Sequence, residues 1–121
     1  MKKLLLTLAL SLFVSTMAFA GGAATKTVEQ VNKEMAQLKG QQVTVTGKVV
    51  KVNNGIMKRN FLHVQDGTGD KNTNDLVVTS KQTAKVGNNV TITGTVVLGT
   101  DFGMGYSYPL LIENSSITIN K

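Results

Sequence analysis

Apolar and polar residues alternate at period two in two long stretches of the chain, and recur at helical spacing in one. The segment GQQVTVTGKVV begins at Gly40 and returns as GNNVTITGTVV at Gly87. Strict alternation places one set of side chains on each face of a half-buried strand. Each copy is interrupted by an interior glycine, Gly47 or Gly94. A glycine inside a strand marks a bulge or a sharp bend, as at the corner of a closed sheet. Between Thr27 and Gly40 the period changes: Val28, Val31, Met35 and Leu38 fall three and four residues apart. That spacing predicts a helix over about 28–39. Thr27 followed by Gln30 supplies its start signal and Gly40 its stop.

The remaining pattern predicts five strands. The first covers about 42–52, with Val43, Val45 and Val49 on one face and Thr44, Thr46 and Lys48 on the other. Asn53-Asn54-Gly55 is turn chemistry. The second strand covers about 61–65 and ends at another turn, Asp66-Gly67-Thr68-Gly69. The third is about 76–79, and the link after it has room for at most one helical turn near 83–85. The fourth, the echo of the first, covers about 89–98. A glycine-rich stretch over 99–107 is expected to be irregular. The fifth runs over about 108–113, with 117–119 extending it past a kink at Asn114-Ser115. Five short strands, the first and fourth bent, predict an all-β five-stranded Greek-key barrel, the OB-fold, over about 42–119. A small open sandwich or an SH3-like barrel is the competing architecture. Most OB-folds plug one end with a helix between the third and fourth strands. Here that link is too short, so the N-terminal helix is the expected plug.

The beginning of the chain changes the picture. Lys2 and Lys3 precede an apolar run from Leu4 to Val14, and Ala18-Phe19-Ala20 supplies small residues. This reads as a cleaved signal peptide over 1–20, hence an exported, periplasmic protein. The apolar run falls short of the ~20 residues that a membrane span needs. Removing 20 of 121 residues leaves a domain of 101 over 21–121, enough for one core. There is no cysteine, so neither a disulfide nor a lipidated N-terminal cysteine is available. Loss of Lys2 and Lys3 lowers the formal net charge from +6 to +4. That mild excess suits an anionic partner, and equally a solubilising surface.

These residues carry a family resemblance. The TVEQ helix, VTVTGKVV and an aromatic-led strand ending in Asp-Gly-Thr-Gly resemble the small exported bacterial OB-fold proteins, among them the bacterial OB-fold stress-tolerance family. GKVVKVNNGIMKRNFLHVQDGTGD and DFGMGYSYPLLIE are similar to periplasmic OB proteins described as nitrite-reductase-associated or nucleic-acid-binding. FLHVQDGTG also resembles the second strand of the anticodon-binding OB domain of tRNA synthetases. The resemblance spans nearly the whole mature chain and implies the fold. These families have no agreed catalytic residues, so it transfers none.

OB-folds bind ligands across strands two and three, between the 1–2 and 4–5 loops. The four aromatics beyond the leader, Phe61, Phe102, Tyr106 and Tyr108, all fall in that region, as do Met57 and Met104. If Leu62 and Val64 face the core, Phe61, His63 and Gln65 face outward. Phe61 and His63 would then offer rings for stacking, and Lys58 and Arg59 would contact phosphates or carboxylates. The competing reading packs Phe61 under the loop that carries Phe102, with a tyrosine closing one end of the core. The candidate ligand-binding residues are therefore Lys58, Arg59, Phe61, His63, Phe102, Met104 and Tyr106.

No metal or other cofactor is expected. One imidazole without cysteine makes no structural zinc site. A copper site from His63, Met57 and Met104 rests on loop proximity alone. Asp66, Thr68, Asp70, Asn72 and Asn74 space oxygens like a calcium loop, but Val77 stands where its closing glutamate belongs, so a tight turn explains them. Nor is catalysis expected. His63 and Asp66 lie three apart on a strand and point to opposite faces, and no phosphate-cradling loop precedes a helix. The sequence thus suggests a non-enzymatic binding module for an extended or anionic envelope partner. Single-stranded nucleic-acid binding and an accessory role to a periplasmic redox enzyme are the alternatives.

Overall fold

A computed structural model describes residues 22–121; the expected leader and its cleavage point lie outside the described residues. The helix α1 (Val28–Leu38) forms where the apolar spacing puts it. The Thr27 hydroxyl accepts from the Gln30 amide, and Gln30 Oε1 accepts from the Thr27 amide, closing a capping box. Val28, Val31 and Leu38 are buried in the same apolar cluster as the strands, and Met35 packs against it. The helix thereby takes up the plugging role that the link after the third strand is too short to play. That link carries no helix, and Ala84 alone enters the core from it.

Six strands form the sheet, where five were expected: β1 (Ala24–Thr25), β2 (Gln42–Ile56), β3 (Arg59–Gln65), β4 (Leu76–Ser80), β5 (Asn89–Asp101) and β6 (Ser107–Ile119). Their order is β1-β2-β3-β4-β6-β5, and β2 also pairs with β5, so the sheet closes on itself. The additional strand β1 lies parallel to β2 through Ala24 and Thr25. Two residues leave no alternation to read, which is why the pattern missed it. Asn53-Asn54-Gly55 is not the turn it suggested. It lies within β2, where the register with β3 shifts, and Gly55 donates to Asn60 Oδ1. The reversal falls at Met57-Lys58 instead, with φ of 51° and 64°. β5 and β6 likewise run further into the glycine-rich stretch than expected and form one long hairpin.

The two echoed segments are partners. Val43 pairs with Gly94, Val45 with Ile92 and Gly47 with Val90. The flanking bonds repeat the relation: Gly40 donates to the Val96 carbonyl and Gly87 to the Val49 carbonyl, each at 2.8 Å. Val96 donates to Gln41 and Val49 to Asn88, each at 2.9 Å. Each of these bonds in one copy thus has its counterpart in the other, about a local twofold axis through Val45 and Ile92. The glycines sit at the corners that this arrangement creates. β2 exchanges β5 for β3 as partner at Lys48, and a Cβ on Gly47 would lie 2.7 Å from the Gln65 carbonyl oxygen. At Gly94 the β5–β6 register shifts, and a Cβ would meet the Ser115 hydroxyl and approach the Glu113 carbonyl to 2.9 Å.

The interior is aliphatic. Valine, leucine and isoleucine from every long strand fill it, and among the described residues no aromatic ring belongs to it. Among the described residues, the buried polar side chains are Thr79, Ser80 and Ser115, all at the junction of β4 and β6. There the strands run parallel and register at Val78 and Ile112. Side chains continue the ladder: Ser80 Oγ donates to the Ser115 carbonyl at 2.6 Å, and the Ile117 amide donates to Gln82 Oε1 at 2.8 Å.

Candidate ligand-binding face

Leu62 and Val64 point into the core, as strand parity requires. Phe61 therefore starts from the outer face of β3, opposite Asn53 on β2 and Thr79 on β4. It is nevertheless only 2% exposed. The β5–β6 hairpin covers it. The Tyr108 ring stacks on it with centroids 5.5 Å apart and planes at 28°, and the Phe102 ring meets it edge-on at 5.9 Å. Phe102 and Tyr108 close the triangle at 6.2 Å. Of the two readings of Phe61, the ring is packed under the loop that carries Phe102 and not exposed for stacking, because the glycine-rich hairpin folds over the sheet and buries it. Aromatic pairs at such distances are each worth ~0.5–1.5 kcal/mol beyond the area they bury.

Arg59 ties this cluster to the sheet. Its guanidinium lies 5.0 Å above the Phe102 ring, Nη2 donates to Glu113 Oε1 at 3.3 Å, and Nη1 donates to the Met57 carbonyl at 3.4 Å. Its planar head is therefore engaged on its face and on two of its edges. Lys58 stands exposed on the β2–β3 turn. Met104 is 96% exposed at the tip of the β5–β6 hairpin, between two glycines and with φ of 56°. Tyr106 is 39% exposed and outside the ring triangle; its amide donates to Gly103 and its carbonyl accepts from Phe102, which closes the hairpin tip. The structure thus brings Arg59, Phe61 and Phe102 together and leaves Lys58, Met104 and Tyr106 on the two hairpin ends.

His63 is set apart from the rings. Its Nδ1 lies 2.8 Å from Asp75 Oδ2, and Gln65 Nε2 donates to Asp75 Oδ1 at 3.1 Å. Burial pushes the Asp75 carboxyl up, but the bonds from His63 and Gln65, with the charges of His63 and Lys51, outweigh it and hold it below the ordinary aspartate value. Sequence reasoning did not find this group, since Asp75 sits beyond a loop and nothing in the spacing pairs it with His63. Glu113 was also missed, and Tyr108, though grouped with the other aromatics, was not among the candidate residues, because the reach of the hairpin cannot be read from its glycines. Among the described residues, no three His, Cys, Asp or Glu side chains gather as a metal ion would require.

The turn after β3 has a structural task beyond reversal. Asp66 Oδ2 accepts from the Val28 amide and Thr68 Oγ1 accepts from the Glu29 amide, both at 3.0 Å. Two unpaired donors of the first turn of α1 are thereby satisfied, and the helix is fixed to the sheet. Burial raises the Asp66 carboxyl. Bonds from the Thr68 hydroxyl and from the Val28 and Thr68 amides pull the other way and win, leaving it below its ordinary value.

No protein-family model matches the chain, and no curated protein sequence does. Solved structures do resemble it. A protein assigned as an aspartyl-tRNA synthetase, from Leishmania major Friedlin, superposes with a TM-score of 0.58 and 10% identity over 90% of this chain, which spans 23% of that protein. OBody AM3L09, bound to hen egg-white lysozyme, gives a TM-score of 0.53 and 19% identity over 73% of this chain and 90% of its own. The asparaginyl-tRNA synthetase of Entamoeba histolytica, in complex with asparaginyl-adenylate, gives a TM-score of 0.53 and 12% identity over 83% of this chain and 25% of its own. The chain thus spans about a quarter of each synthetase. At these identities the likeness establishes the fold: this is an OB-fold domain.

Proposed function

We propose that the protein is an exported, non-catalytic OB-fold module of the bacterial envelope that recognises an extended or anionic partner through its two hairpin ends. The observation that carries this reading is the ring cluster. Phe61, Phe102 and Tyr108, with Arg59 on top, fix the β2–β3 and β5–β6 hairpins side by side. Met57, Lys58, Met104 and Tyr106 are thereby presented to solvent on a rigid support. An apolar side chain at 96% exposure on an ordered hairpin costs solubility and adds no packing, which fits a surface kept for contact. The lysozyme complex of OBody AM3L09 supports protein recognition as a use of this fold. Stacking of nucleic-acid bases on Phe61 does not fit a ring with no open face. Export rests on the leader read from Lys2 to Ala20.

The test is site-specific photo-crosslinking in the native host. A crosslinker at Met104 is expected to capture one envelope protein or ligand, and one at Thr118 to capture none. The exported chain should lack the first 20 residues by intact mass. Recovery from the cytoplasm at full length, or identical adducts from both positions, overturns the reading. Oligonucleotide binding that weakens steeply with salt would replace it with the nucleic-acid alternative.

A further inference from the structure

Behind the hairpin ends, where β4 parts from β6, lies a cleft of about 280 Å³. Lys58, Arg59 and Lys81 line it together with Thr79, Ser80 and Asn114. A neighbouring cleft of about 260 Å³ shares Ser80, Lys81 and Asn114, so the two form one groove along the junction. The groove exists because the parallel pairing registers at Val78 and Ile112, after which Asn114, at φ of 52°, turns β6 aside.

Its charges are unbalanced. Neither cleft is lined by an acid, and the carboxylate of Glu113, next to the lining Asn114, is taken up by Arg59 at 3.3 Å. Among the described residues, neither Lys58 nor Lys81 enters an ion pair. Two lysines therefore line the groove without a counter-charge, beside Thr79 and Ser80, whose hydroxyls are held by Asn114, Gln82 and Ser115. Among the described residues, four non-glycine positions have φ in the left-handed region, and three of them, Met57, Lys58 and Asn114, line this cleft. In each case the conformation belongs to the reversal or the bend that shapes the groove wall.

We propose that the groove between Lys58 and Lys81 binds a tetrahedral oxyanion, a phosphate or sulfate group carried by the ligand. The ligand chemistry follows from which cations are free. A planar carboxylate is best met by the arginine fork, and that fork is spent on Glu113, Met57 and Phe102. Lysine ammonium is a rotatable point charge that suits any face of a tetrahedral anion. At ~30 Å³ per water, the cleft has room for the anion and several waters. This inference rests on the reading that the hairpin end is the recognition end, but Lys81, which that reading does not use, carries it.

The experiment is an amide-resolved NMR titration of the purified protein with sodium phosphate and sodium sulfate, against sodium chloride at equal ionic strength. Saturable shifts at Lys58, Ser80, Lys81 and Asn114 are expected with phosphate and sulfate. The Lys58→Gln/Lys81→Gln double variant should weaken them at least tenfold, and Lys71→Gln, at an exposed lysine that lines neither cleft, should leave them unchanged. Chloride reproducing the shifts, or the double variant retaining them, overturns the proposal. Glycerol 3-phosphate and phosphatidylglycerol vesicles separate the sources. Saturation by the former alone assigns a soluble phosphate ester. Co-sedimentation with the vesicles that the double variant loses assigns a lipid headgroup. Loss of the phosphate response with the Met104 crosslink intact removes this inference alone; the reverse result removes the recognition end and leaves the groove.

Discussion

Leu62 and Phe61 are neighbours on β3, yet they belong to two different layers of the molecule. Leu62 enters an interior made only of aliphatic side chains and closed beneath by α1. Phe61 joins an outer layer of three rings, a guanidinium and a carboxylate, sealed by the β5–β6 hairpin. The inner layer is held by shape and water exclusion, and an apolar residue of similar volume largely satisfies it. The outer layer is held by oriented contacts between amphipathic groups. Its polar ends remain at the surface, so the same contacts that stabilise it also shape what a partner meets. One strand thus contributes to an aliphatic interior on one face and to an aromatic outer layer on the other.

The comparison can be broken most severely at its hinge. Gly94→Val puts a branched side chain where a single Cβ already meets Ser115 and Glu113. No cooperative thermal transition by circular dichroism is expected; a normal melt would refute the close approach. Next comes the pair itself. Leu62→Ala and Phe61→Ala are each expected to cost about 3 kcal/mol in urea unfolding. They should differ in hydrogen exchange. Phe61→Ala should speed exchange around Phe102 and Tyr106 well beyond the global loss, and Leu62→Ala should not. Equal patterns would merge the two layers into one.

A smaller effect separates α1 from the sheet. Asp66→Asn removes a charged acceptor from the helix start and should cost about 1 kcal/mol. The folded Asp66 carboxyl lies below its ordinary value of 3.8. Its stabilisation is therefore complete above about pH 4 and fades as pH falls through the lower folded value. The variant should lose that part of the acid-induced fall in melting temperature; an unchanged acid limb would place the effect elsewhere. The smallest change runs in the opposite direction. Lys58→Gly relieves a left-handed lysine and should raise stability by about 1 kcal/mol while weakening the oxyanion response. A stability loss would show that Lys58 is not strained.

Much of the fold was legible because the interior obeys periodicity. Val43, Val45, Ile92 and Leu62 announce their face by alternation, and Val28, Val31 and Leu38 do so at helical spacing. The outer layer has no period. Nothing local tells that the stretch from Gly99 to Ser107 is long enough to lay Phe102 and Tyr108 over Phe61. So the parity of Phe61 could be read, while its burial under the Phe102 loop stayed one of two open readings. The turn residues misled for a related reason. Asn53-Asn54-Gly55 is chemically a turn, but a register shift absorbs it, and the reversal passes to Met57-Lys58, which no turn preference would choose. Asp66 and Thr68 were read as a turn, correctly as far as it went; their bonds to α1 join residues almost forty positions apart. Lys81 was missed because its neighbours in the groove come from two distant segments of the chain, 57–59 and 114–116.

The local twofold between β2 and β5 has a consequence for the protein under crowding. Because each half of that pair presents the same register to the other, a partly folded chain finds in a second molecule's Gly40–Val50 stretch an adequate stand-in for its own Gly87–Val97. Export in an unfolded form would expose both stretches at once. Refolding yield should accordingly fall as concentration rises, with strand-exchanged dimers as the by-product; a yield indifferent to dilution would show that closure of the sheet outpaces every encounter.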